Sequence, residues 1–419
     1  MRYSPLSRRD FLAGMAAGAT AVWPGWMPQL AFAPAQTSPR GDVLLALFLR
    51  GAADALNMVV PYGEEAYYRA RPSLAIPRPD HGRVPAAERV VDLDGFFGLH
   101  PALRPLLPAW QANHLAIIHA CGAPDESRSH FKAMALMERG VEDERGPASG
   151  WINRHLASYD TGNNSPIRAL GLGGGLPRSL YGSIPATAMR SIVEFHLSGD
   201  ERRAQQLTAM LRNLYRQESE LGAIGQETLN AIDTLTKLNP AGYVPQHGAT
   251  YPDGDFGESL RQVAMLIKAE AGLEVAAVDL GGWDTHFGQG SSSGLMAGLL
   301  TNLGQGLAAF HADLHDYMGQ LTVVVMSEFG RRLFENASLG TDHGHGGLML
   351  LLGGHVSGGQ VLGQWPGLGD GSLFGPGDLA VTTDYRDVLA EVVRLRLNNM
   401  AVDQVFPDYH PTPQGFVHR

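Results

Sequence analysis

The residues of this chain best suited to chemistry are carboxylates and imidazoles collected in a few short, glycine-rich segments. In GGWDTH, Asp284 and His286 lie two apart, and on an extended chain such side chains point to the same side. One carboxylate and one imidazole aimed together make two ligands for zinc, manganese or a similar divalent ion. GTDHGHGG adds Asp342, His343 and His345 between glycines that let the backbone bend until imidazoles reach a common point. SEFGRR offers Ser327, Glu328, Arg331 and Arg332, and RGAADALN offers Asp54 and Asn57. Taken singly each group also has a structural use: Asp caps helices and turns, His bonds tight-turn backbone, and Glu328 can pair with Arg331 or Arg332. Their joint occurrence where apolar strands stop is what points to a shared metal or anion site.

A second piece, APDESRSHFKAMALMERG, follows an apolar strand and opens a helix. Ser127, Ser129 and His130 fall at or near its N-terminus, where free backbone N–H groups and the helix dipole favour negative charge. A serine there, beside a divalent ion, could serve as nucleophile, with His130 as a catalytic partner. Arg128 and Arg331 are the guanidinium clamps for an anionic group, and Asn57 is a further substrate contact. The spacing leaves open which of Ser127, Ser129 and His130 faces the site.

The elements that must position these groups are legible as short, wholly apolar runs: 43–49, 115–120, 275–280, 321–326 and 348–352. Such runs mark central parallel strands covered on both faces. Helical stretches are expected over 129–139, 200–238, 296–318 and 385–397, and strands alternating with helices predict an α/β fold with a mostly parallel sheet and helices on both sides. In such a sheet ligands bind at the carboxyl ends of the strands. The stretch 240–256 reads as a long loop placed to cross the mouth of the site. Residues 60–98 and 355–380 read as irregular insertions. His119 lies inside an apolar run, the setting of a satisfied core histidine, and His100 reads as a packed turn residue.

Near the N-terminus, SRRDFL places Arg8 and Arg9 before an Ala/Gly-rich apolar stretch, and Ala33-Pro34-Ala35 suits cleavage before Gln36. This grammar predicts a twin-arginine signal peptide over 1–35, transit through the twin-arginine translocase, and a periplasmic or secreted mature chain of one large domain over 36–419. A bilayer span needs about 20 continuous apolar residues, and Pro24, Pro28 and Pro34 interrupt this segment, so no stable membrane span is expected. The whole chain carries a formal charge of −10, and loss of three Arg and one Asp with residues 1–35 leaves −12. An acidic chain without a Lys/Arg block excludes a nucleic-acid partner. Cys121 is the only cysteine, which excludes an intrachain disulfide and a Cys-rich zinc site.

With these segments in order, the chain resembles the DUF1501 family of exported bacterial proteins, itself similar to the alkaline phosphatase and sulfatase superfamily. The resemblance rests on RGAADALN, the stretch from HPALRPLLPAW to SRSHFKAMALMERG, SGWINRHL, GGWDTH, SEFGRR and GTDHGHGG, and spans nearly the whole mature chain. It implies an alkaline-phosphatase-like three-layer sandwich. It also implies metal ligands drawn from Asp54, Asp284, His286, Glu328, Asp342, His343 and His345, with Ser129 at the nucleophile position. Where the superfamily shows Ser-Asp-His-Gly, this chain has Ser327-Glu328-Phe329-Gly330, so one of two metal positions is weakened or absent. Asp284 and His286 are also closer together than the superfamily spacing. The sulfatase C/S-x-P-x-R pattern is not matched by Cys121-Gly122-Ala123-Pro124-Asp125. The expectation is an exported hydrolase of phosphoesters or related anionic esters, small or polymeric, using a zinc or manganese centre of one or two ions and a Ser or metal-hydroxide nucleophile. The alternative is a periplasmic binding or assembly protein that kept the fold without turnover.

Overall fold

The strands form where the sequence is continuously apolar, because a central parallel strand has no solvent face to mark with polar residues. The computed structural model describes residues 42–192, 201–216 and 240–419, with scattered positions between 222 and 238. The expected signal segment 1–35 lies outside the described residues; of the helical stretch expected over 200–238, Glu201–Leu214 is a helix, and beyond residue 216 only scattered positions are described. The first part of the site-bearing framework is β1 (Val43–Arg50), β2 (Leu115–Gly122), α1 (His130–Arg139), α2 (Trp151–Ser158), β3 (Ala169–Leu172) and β4 (Thr187–Met189). It continues with α3 (Asp255–Lys268), β5 (Val275–Gly281), α4 (Leu295–Asp313), β6 (Leu321–Ser327), β7 (Arg331–Glu335) and β8 (Thr341–His343). It closes with β9 (Gly347–Leu352), β10 (Gln360–Leu362), β11 (Thr383–Asp384) and α5 (Tyr385–Glu391).

The chain is a mixed α/β protein built on one large sheet in the order β10-β2-β9-β6-β1-β5-β3-β4, with β11 beside β2. β1 pairs in parallel with both β5 and β6, and β9 runs antiparallel between β2 and β6. That reversal brings the segment just before β9 to the same edge as the carboxyl ends of β1, β5 and β6. Alternate residues of β1 enter two cores. Leu45, Leu47 and Leu49 pack with Leu260 of α3 and Phe310 of α4, whereas Leu44, Ala46 and Phe48 pack with Met137, Trp151 and Val388 of α1, α2 and α5. Helices therefore cover both faces, and each fully buried Leu contributes about 1.5–3 kcal/mol through removal from water. Among the described residues no helix is long and apolar enough to cross a membrane.

Three sequence expectations change. The run 348–352, expected as a parallel strand, is β9 and is antiparallel to both its neighbours. The stretch 240–256 does not reach the carboxyl edge of the sheet: Tyr243 and Tyr251 donate their hydroxyls to Asp313 Oδ2, and the Gln246 N–H donates to Asp313 Oδ1. Asp313 ends α4, on the side from which the chain enters β6. The stretch expected as one helix over 385–397 is α5 continued by a π-helical turn, Val392–Arg396.

Candidate metal centre

At the carboxyl edge three imidazoles and one carboxylate converge. His130 opens α1, Asp284 and His286 follow β5, and His343 ends β8. Ligand atoms of His130, Asp284 and His343 all lie within 4.8 Å of one another. Asp284 Oδ1 is 3.1 Å from His343 Nε2, 3.1 Å from His286 Nε2 and 3.5 Å from His130 Nε2. His286 Nε2 and His343 Nε2 are 2.8 Å apart.

The far side of each ring is fixed by an oxygen. His130 Nδ1 is 2.8 Å from Glu328 Oε1, His286 Nδ1 is 3.2 Å from Asp342 Oδ1, and His343 Nδ1 is 2.9 Å from the Arg128 carbonyl. An oxygen acceptor at Nδ1 places the proton there and leaves the Nε2 lone pair facing inward. Three lone pairs then meet an ionised carboxylate, an arrangement that repels itself without a cation. His130 Nε2 is buried and has no hydrogen-bond partner among the described residues, the orphaned atom expected of an aimed ligand. Burial holds the His343 pKa below its ordinary value, against the pull of Asp284. Partial burial also acts to raise Asp284, but the Arg331 guanidinium bonded to its Oδ1 outweighs it and holds its pKa at about 2.

Backbone and buried side chains hold this geometry. Glu328 is buried and receives the Gly51 N–H at 2.8 Å on the same oxygen that takes His130. Gly51 has φ +118°, and a Cβ there would lie 2.7 Å from the Asp284 nitrogen, so only glycine lets β1 exit beneath that loop. At Gly344 a Cβ would sit 2.4 Å from the Arg331 carbonyl carbon, which is why the β7–β8 hairpin needs glycine as it turns toward β9. Arg331 is buried and donates to the carbonyls of Gly51, Ala52, Trp283 and Thr341, and to Asp284 Oδ1 at 2.6 Å. It fastens three strand ends together and orients the carboxylate; its side chain is fully buried and so presents no donor to a substrate.

Other expected site residues stand elsewhere. Asp54 is fully buried, with Arg71 on both oxygens at 2.5 and 3.0 Å and Gln289 Nε2 at 2.7 Å. Its lone pairs are thus committed to a buried ion pair and not to the converging group. Asn57 is likewise enclosed, receiving Tyr67 and Arg71 on Oδ1 and donating to the Leu74 carbonyl, so it is no substrate contact. His345 turns away from His343 and stacks on Phe374 with centroids 4.5 Å apart. Glu328 and Asp342 stand behind imidazoles rather than among the inward-facing atoms. Ser129 is exposed, its side chain makes no capping bond, and its N–H donates to Ser127 Oγ at 3.2 Å. Arg128 pairs with buried Asp378. Arg332 Nε reaches the same carboxylate only at 3.7 Å and has no hydrogen-bond partner among the described residues. Phe329 is buried and stacks on His130 with centroids 5.1 Å apart.

Sequence reasoning placed His130 as a partner in catalysis and missed its convergence with Asp284. The signal was present, since His130 opens the helix that follows a strand end. Nothing in the sequence marked Arg71, Gln289 or Asp378.

This is an α/β protein with a His/Asp cluster at the carboxyl edge of its sheet. Residues 42–393 match the family described as "Protein of unknown function (DUF1501)", and the chain belongs to that family. No curated protein matches the sequence. Among solved structures, an alkaline phosphatase from the Antarctic bacterium TAB5 is similar at 8% identity, covering 76% of this chain and 92% of that one, with a TM-score of 0.29.

Proposed function

We propose that this chain is an exported hydrolase of phosphoesters or related anionic esters, with an alkaline-phosphatase-like three-layer fold and one divalent ion held by His130, Asp284, His286 and His343. The observation that carries the metal is the convergence of three Nε2 atoms on Asp284, each ring backed by an oxygen. In a tetrahedral site with bonds of about 2.0–2.1 Å, neighbouring ligand atoms stand roughly 3.3 Å apart; the three imidazoles stand 3.1 to 3.5 Å from Asp284 Oδ1, and His286 and His343 stand 2.8 Å apart. Three nitrogens and one carboxylate suit zinc better than the harder ions. When bound, the ion would supply Lewis acidity toward an ester oxygen.

The chain's own groups do the rest. Arg331 holds Asp284 ionised and aimed. Glu328 and Asp342 keep His130 and His286 in the Nδ1–H tautomer. Arg332, its side chain 33% exposed, and Arg128, which shares Asp378 with it, are the cations available to an anionic ester. The exposed Ser129 hydroxyl, at the head of α1, is the nucleophile of this reading. Phe329 fills the position of a second-ion imidazole, which supports one ion in place of two. The same residue also supports the rival reading, a periplasmic binding or assembly protein that kept the centre without turnover.

The test is hydrolysis by zinc- or manganese-loaded mature protein of 4-nitrophenyl phosphate, bis(4-nitrophenyl) phosphate and 4-nitrophenyl sulfate. Turnover by the wild type that disappears in Asp284→Ala is the expected result, and loss in Ser129→Ala assigns the nucleophile. A metal-loaded wild type inert to all three esters would leave the binding reading in its place.

A further inference from the structure

Beside the metal centre lies an open groove of about 300 Å³ that neither the ligands nor their supports use. Its floor is a mutually satisfied trio. Arg50 donates to Glu138 through two bonds of 3.0 and 3.2 Å, and its Nε lies 2.6 Å from Asp279. Its walls are Phe131 and Met134 of α1, facing Leu176, Pro177 and Tyr181. Phe131 is 87% exposed, and no ring contact involves it or Tyr181 among the described residues. Arg178 stands at the edge, exposed and without a charged partner among the described residues.

The groove and the centre are joined through two short paths. His130 immediately precedes Phe131 on α1. Arg50 immediately precedes Gly51, whose N–H holds the Glu328 oxygen that also takes His130. These links make the groove a neighbouring place for the body of a substrate whose ester sits at the converging imidazoles.

The lining selects the chemistry of that body. Two carboxylates are balanced by Arg50 and Arg178, so neither a strong anion nor a strong cation is favoured. Asp279, its side chain 36% exposed, keeps lone pairs for hydroxyl donors, and the exposed Arg178 supplies donors at the edge, a combination suited to a ligand carrying many hydroxyls. The walls offer an aromatic face, the Tyr181 ring and aliphatic carbons, suited to the C–H faces of a compact ring. We infer that the groove is a subsite for a neutral saccharide unit, so that, resting on the hydrolase reading, the substrate class is a sugar ester of an inorganic acid.

The test is ligand-observed NMR titration of the mature wild-type protein with neutral glucan, mannan, galactan and chitin trisaccharides, and separately with inorganic phosphate. Phe131→Ala, Asp279→Asn and Asp284→Ala are titrated in parallel; the first removes an exposed ring and leaves the core intact. At least one trisaccharide should bind the wild type and Asp284→Ala alike, and weaken at least tenfold in Phe131→Ala and in Asp279→Asn. Phosphate binding should show the opposite dependence, lost in Asp284→Ala and kept in Phe131→Ala. Saccharide binding with no phosphate binding would sustain the subsite while removing the hydrolase reading. Absence of binding to every trisaccharide, or equal binding by wild type, Phe131→Ala and Asp279→Asn, would overturn the subsite.

Discussion

Replacing Glu328 by Gln separates the charge behind His130 from the shape that supports it. Glu328 Oε1 receives the Gly51 N–H and His130 Nδ1, each at 2.8 Å, and Oε2 lies 3.1 Å from Ser327 Oγ. A Gln side chain can keep its oxygen toward Gly51 and His130 and turn its amide toward Ser327. The Ser327 hydroxyl then donates to the Leu49 carbonyl, 2.7 Å away. Every buried group stays satisfied, so the fold should hold and Tm should move by only a few degrees. What disappears is a charge-assisted bond that makes the imidazole a better ligand. Loss of an outer-shell partner of this kind typically costs 10–100-fold in metal affinity, about 1.4–2.8 kcal/mol. Glu328→Ala differs in kind, because it strands two buried donors at about 1–3 kcal/mol each and should lower Tm markedly as well. The assay is competition against a chromophoric zinc chelator at fixed pH, with thermal unfolding of the metal-free variants alongside. Unchanged zinc affinity in Glu328→Gln, with affinity abolished in Asp284→Ala, would refute the outer-shell role.

Asp54→Asn should leave metal stoichiometry intact, because Asp54 is bonded to Arg71 and Gln289, while Arg71→Met should cost about 3–5 kcal/mol by stranding a buried carboxylate; denaturant unfolding and metal analysis of the two variants check both. Gly51→Ala should destabilise the chain and weaken metal binding together, since φ is +118° and the added Cβ meets the Asp284 nitrogen; a variant as stable and as metal-loaded as wild type would contradict the tight crossing. Acid should also act through His100 and His119, whose pKa values burial depresses to about 4. In both rings Nδ1 accepts a backbone N–H and Nε2 faces a carbonyl, so neither has room for a second proton. The unfolded chain takes up that proton first, so stability is full above about pH 6.5 and falls toward pH 4, by roughly 2 kcal/mol for each histidine at pH 5. Urea unfolding at pH 7 and pH 5 measures it, and a slope unchanged in His119→Gln would remove His119 from the account.

The five apolar runs were readable because strands buried on both faces carry no polar alternation, and they became β1, β2, β5, β6 and β9. The run 348–352 reads as parallel like the rest and is antiparallel, since an apolar run looks the same either way; its reversal is what places the GTDHGHGG segment at the carboxyl edge. Asp284, His286 and His343 were visible as types and spacings. His343 and His345 could not be told apart in the sequence, because the choice depends on how the chain turns at Gly344, and that turn sends His345 to Phe374. Asp54 carried the same outward signs as Asp284. Its burial against Arg71 depends on a residue 17 positions on, in a region without periodicity.

The most direct measurement is metal content by inductively coupled plasma mass spectrometry on mature protein purified after export, with Asp284→Ala and His343→Ala prepared identically. One equivalent of zinc or manganese in the wild type, lost from both variants while their unfolding remains cooperative, is the expected result. A wild type that is metal-free and stays so after incubation with zinc and desalting would contradict the metal centre.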